Sequence, residues 1–100
     1  MKKYKVILHP DAEFDINSSF KWGCLNWGRP NAIAWVRKLR HTLRERLTTA
    51  PLACPVAPES EELNVSVGHL IVGRYRILFV VEKKTVTVIH VRGSYAGRMD

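Results

Sequence analysis

VSVGHLIVGRYRILFVVEKKTVTVIHV, Val65–Val91, is the stretch that decides the fold. It divides into three apolar, β-rich runs, Val65–Val72, Tyr75–Val81 and Val86–Val91. Only Gly73-Arg74 and Glu82-Lys83-Lys84-Thr85 break them. Parallel neighbours need a crossover of a dozen or more residues, so breaks this short require an antiparallel meander.

Working back from the meander, residues 50–64 carry three prolines (Pro51, Pro55 and Pro58) and the acids Glu59, Glu61 and Glu62. That segment cannot continue a helix and is expected to form a surface loop. Upstream of it, Ala32, Val36, Leu39, Leu43 and Leu47 keep helical spacing, which predicts a helix over about 30–49. Arg37, Lys38, Arg40, His41, Arg44 and Arg46 fill the rest of its surface, a face that reads first as a solvated one. The run Asn26-Trp27-Gly28-Arg29-Pro30 reads as a helix stop and a fresh start. Before it, Ala12, Ile16, Phe20 and Cys24 or Trp27 mark one face of a helix over roughly 11–25. Pro10 sits at its first turn, and Asp11, Glu13 and Asp15 lie near its positive end. Trp22, Trp27 and Trp35 surround the interhelix turn and either pack it or present an anchor to a partner. Residues 3–9 alternate polar and apolar and form a short strand that Pro10 ends, His9 being a polar lead-in.

The expected order is therefore β-α-α-β-β-β: an α+β domain with a helical hairpin packed on a small twisted, mainly antiparallel sheet. One hundred residues make a single domain, 1–100. Sixteen Lys and Arg against nine Asp and Glu leave a formal charge of +7, which favours anionic partners such as nucleic acid, a ribosome or an acidic protein. Cys24 and Cys54 have neither metal-ligand nor Cys-x-x-Cys spacing, so no metal site, cofactor or disulfide framework is expected. The apolar run Val6–Leu8 is too short for a signal peptide or a membrane span, and the expected location is the cytoplasm.

Several of these stretches carry a family likeness. His9-Pro10-Asp11-Ala12 with Asp15-Ile16 resembles the P-x-A-x-x-D-hydrophobic opening of the RelE/ParE superfamily of toxins. Pro55-Val56-Ala57-Pro58-Glu59 is similar to a proline-rich loop that many members carry. Val72-Gly73-Arg74-Tyr75-Arg76-Ile77 resembles the G-x-Y-R-hydrophobic strand, and Val86–Arg92 resembles the final strand. The likeness runs from Tyr4 to Arg92 and implies the toxin of a type II toxin-antitoxin system, a plasmid-stabilisation protein that inhibits growth. Its implied partners are a cognate acidic antitoxin, with which it forms a hetero-oligomer, and either DNA gyrase or the ribosome and its mRNA.

Antiparallel pairing can bring Arg76, His90, Arg92 and Tyr95 to one region of the sheet. An Arg fork holds a phosphate with two hydrogen bonds, and a His or Tyr can move a proton. This is equipment either for metal-independent RNA cleavage by a ribose 2′-hydroxyl or for a plain phosphate-binding patch. On the resemblance, a ribosome-dependent nuclease would use Arg76, Arg92 and Tyr95 as catalytic residues. His69, Arg74, His90 and Arg98 complete the expected target-binding set. The preceding strand offers Val67 and His69 where lysines are common, and the hairpin is long; both features lean toward the gyrase-binding branch. A third reading is a member that keeps the fold as a binding domain without toxicity. Against all three, Arg76 can simply cover the sheet and pair with Glu82 or an amino-terminal acid, and His69 and His90 can be ordinary strand residues.

Overall fold

The computed structural model describes residues 3–58, 60–61 and 65–93. Strand β1 (Lys5–Leu8) leads into helix α1 (Pro10–Trp27) and helix α2 (Arg29–Thr49). A 3-10 turn (Pro51–Ala53) follows, then β2 (Gly68–Val72), β3 (Tyr75–Glu82) and β4 (Thr85–Gly93). The expected order holds, with the first meander strand beginning at Gly68 rather than Val65. The sheet order is β1-β4-β3-β2; β2-β3 and β3-β4 are antiparallel and β1 runs parallel to β4.

His9 does more than lead into Pro10: it is the N-cap of α1, and its Nδ1 accepts a hydrogen bond from the Asp11 backbone N–H at 3.0 Å. One residue, Gly28, separates the helices. Its φ of 91° and ψ of 152° lie in a region essentially reserved for glycine, which lets the chain reverse within so short a span. The buried face of α1 runs through Ala12, Ile16, Ser19 and Gly23. The expected face through Phe20 and Cys24 is displaced by one residue after Ile16, because a helix of 3.6 residues per turn cannot hold a strict spacing of four. Small residues at Ser19 and Gly23 bring the hairpin together: a Cβ on Gly23 would lie 3.4 Å from that of Ala32 and 2.9 Å from the Trp27 ring.

Helix α2 buries Ala32, Leu39, Leu43 and Leu47 as its periodicity predicts. With Ala12 and Ile16 the three leucines meet Leu70, Ile77, Phe79, Val86, Val88 and Val91 of the sheet to form the main core. The opposite face of the sheet is partly covered as well. The proline-rich segment crosses it as a strap and forms a second, smaller cluster of Ala57, Val67 and Leu78. Backbone bonds from Ala57 N–H to Val67 C=O (2.6 Å) and from His69 N–H to Pro55 C=O (3.0 Å) hold it there. The Ser60 hydroxyl accepts from Val67 N–H at 2.9 Å and lies 3.2 Å from the carbonyl of the same residue. The prolines thus build an ordered cover. Among the described residues, no helix is long and apolar enough to cross a membrane.

Candidate functional site: a cationic sheet face

Three strands converge on the candidate residues. Arg76 on β3 pairs in register with Arg92 on β4 and with Ile71 on β2, while Leu78 pairs with His90 and His69. Directly paired residues share a face, and their Cβ atoms stand about 4.5–5.5 Å apart. Two guanidinium side chains therefore start side by side on the face opposite the helices, next to exposed Ile71. A guanidinium fork can donate two parallel hydrogen bonds to an anion or an acidic group.

Arg76 Nη2 stands 3.2 Å from His69 Nδ1. A guanidinium only donates, so His69 Nδ1 accepts and the proton of the neutral ring resides on Nε2. His69 thereby orients one arginine and keeps a donor of its own. Glu82, considered as a partner for Arg76, sits at the far end of β3 opposite Thr85.

His90 behaves differently. Leu78 faces His90 and Phe79 faces Val88, so Ile89 is the extra residue of a bulge in β4. Strand β1 ends at Leu8, opposite Val88, and leaves the outer edge of β4 uncovered beyond that point. Asp15 of α1 closes this edge: its Oδ2 accepts from the Val91 N–H at 2.9 Å and lies 3.2 Å from His90 Nδ1. A carboxylate accepts only, so here Nδ1 is the protonated nitrogen. His90 is tied to the helix through Asp15, and the Asp15 anchor fixes the backbone one residue before Arg92.

Arg74 stands apart from this face. It is exposed in the β2-β3 turn, beside a groove that Trp22, Trp27 and Trp35 also line. Tyr95 and Arg98 lie outside the described residues. The structure thus joins His69, Arg76 and Arg92, tethers His90 to Asp15, and sets Arg74 at a different surface. Asp15 was the contributor that sequence reasoning missed. Its place in the P-x-A-x-x-D opening was the available signal, and the structure shows why each position is needed: Pro10 starts the helix, Ala12 and Ile16 enter the core, and Asp15 caps the strand edge.

No protein-family model matches the chain, and no curated protein matches it. Among solved structures it is similar to a chain of the "Chromosomal ParDE TA system from P. aeruginosa", with a TM-score of 0.74 at 13% identity, covering 90% of this chain and 95% of that one. The two chains therefore share a fold over nearly their full lengths, the fold that the resemblance implied.

Proposed function

We propose that this chain is the toxin of a type II toxin-antitoxin pair, that it inhibits growth by binding an essential target of the gyrase type, and that a cognate acidic antitoxin neutralises it. The observation that carries the reading is the fold shared with the ParDE component over nearly the full length of both chains. The formal charge of +7 supports an acidic partner. The helices, of 18 and 21 residues, support the binding branch. So does the burial of Val67 and the engagement of His90 by Asp15, which leave fewer side chains to move protons.

A second reading, a ribosome-dependent mRNA endonuclease, is favoured by the Arg76-Arg92 pair with His69 beside it. Induced expression separates the readings. A gyrase-type toxin arrests growth, switches on a DNA-damage reporter and leaves mRNA uncut, and it retains toxicity in any Arg76→Ala protein that stays folded. A nuclease yields discrete cuts by primer extension. Those cuts fade in Arg76→Ala and Arg92→Ala, since loss of a transition-state donor costs roughly 10²–10³ in rate. Growth that continues unimpaired on expression of the wild-type chain defeats both readings and leaves a non-toxic binding domain.

A further inference from the structure

The groove beside Arg74 differs in chemistry from the sheet face. It has a volume of about 480 Å³, within the range of ligand sites. Its wall is a series of aromatic rings that crosses from the helical hairpin to the sheet. Trp22 and Trp27 meet edge to face at 5.4 Å, Trp27 and Trp35 likewise at 6.0 Å, and Trp35 and Tyr75 at 4.8 Å with a tilt of 43°. Lys38, one turn beyond Trp35, and Arg74, next to Tyr75, supply the cations. No acidic residue lines the groove among the described residues, and its aliphatic part is confined to Leu39 and Val72.

An apolar peptide anchor would make no use of Lys38 and Arg74. Four π systems beside one Lys and one Arg favour an occupant that is both flat and anionic. A nucleotide is such a group: its base stacks on an aromatic ring, and its phosphate takes the Arg fork or the point charge of Lys. Arg74 is also two residues before Arg76, so a strand seated in the groove can continue past the β2-β3 turn toward the Arg76-Arg92 face. We propose that the Trp22-Trp27-Trp35-Tyr75 groove binds single-stranded nucleic acid, with a base stacked among the indoles and the flanking phosphates held by Lys38 and Arg74.

Fluorescence anisotropy of labelled uridine and thymidine oligonucleotides about twelve residues long tests this. The full chain should bind at least one of them saturably. Affinity should fall with salt, and Arg74→Ala or Lys38→Ala should each reduce the slope of log K against log salt by about 0.7, the value for one single-strand phosphate contact. Trp22→Ala should weaken binding roughly 5- to 150-fold, the worth of one base stack, with Trp22→Phe retaining most of the affinity. Arg74 is an exposed turn residue, so its variant keeps the test decisive if the tryptophan variant does not fold. Absence of saturable binding at low salt overturns the proposal. So does an equal loss in Arg44→Ala, which removes a cation from the other end of α2 and would mark generic attraction. Competition by polyglutamate as strong as that by unlabelled oligonucleotide would identify an acidic-peptide surface instead. Full displacement by uridine monophosphate at equal nucleotide concentration would identify a mononucleotide pocket.

Discussion

Asp15 shows how one side chain ties a helix to a sheet edge. Its Oδ2 serves the Val91 N–H and faces His90, in a setting where both side chains are about two-thirds or more buried (32% exposed for His90, 26% for Asp15). Asp15→Ala leaves that N–H without its acceptor and should cost about 1–3 kcal/mol in chemical denaturation. Asp15→Asn, which keeps one acceptor oxygen, should cost less. Cys54 offers a pH-dependent test. Burial pushes its thiol above the ordinary range and outweighs the opposing pull of the Arg46 guanidinium. A raised pKa in the folded state favours the neutral thiol, so its stabilising contribution is complete below the unfolded pKa and is lost as pH rises through the folded one. In a Cys24→Ser background, native Cys54 should therefore begin to react with iodoacetamide at a higher pH than it does in the unfolded chain. Identical pH profiles in the two states would contradict the assigned burial effect.

Among the elements, the hairpin depends on a single residue between its helices. Gly28 has no heavy atom within 4 Å of where a Cβ would stand, so substitution there meets backbone strain and no steric clash. Gly28→Ala should destabilise by about 1–3 kcal/mol, the usual strain of a non-glycine residue in that region. Thermal unfolding of the variant measures this, and an unchanged melting temperature would mean that the helices can reverse by another route. The strap illustrates a different dependence. Its prolines remove helix as an option, but its attachment comes from Val67, just before β2, from His69 in β2, and from Ser60.

At the scale of the whole molecule, two cores share one sheet. The main core joins the hairpin to the inner face, and the smaller one joins the strap to the outer face. Leu39 lies in the first, 1% exposed on the helix that carries all three of the hairpin's buried leucines. Leu39→Ala should cost about 2–5 kcal/mol by denaturation, as buried leucine truncations do. A loss below about 0.5 kcal/mol, the scale of surface substitutions, would mean that α2 is not seated on the sheet through this face.

The amino-acid sequence by itself determined the order of elements and the α2 stripe. These follow from local periodicity and from turn residues such as Gly28, Gly73 and the Lys83-Lys84 pair, whose effects act within a few residues. It also placed Arg76 and Arg92 on neighbouring antiparallel strands. Tertiary structure alone decided three further matters. The bulge at Ile89 and the early end of β1 exposed an edge that Asp15, 76 residues from Val91 in sequence, reaches. The drift of a 3.6-residue helix moved the face of α1 onto Ser19 and Gly23. The reversal at Gly28 brought Trp27 of α1 edge to face with Trp35 of α2, and Trp35 against Tyr75, in a groove that Arg74 also lines. Each is a long-range meeting set by how elements pack, and no pattern within a single segment encodes it.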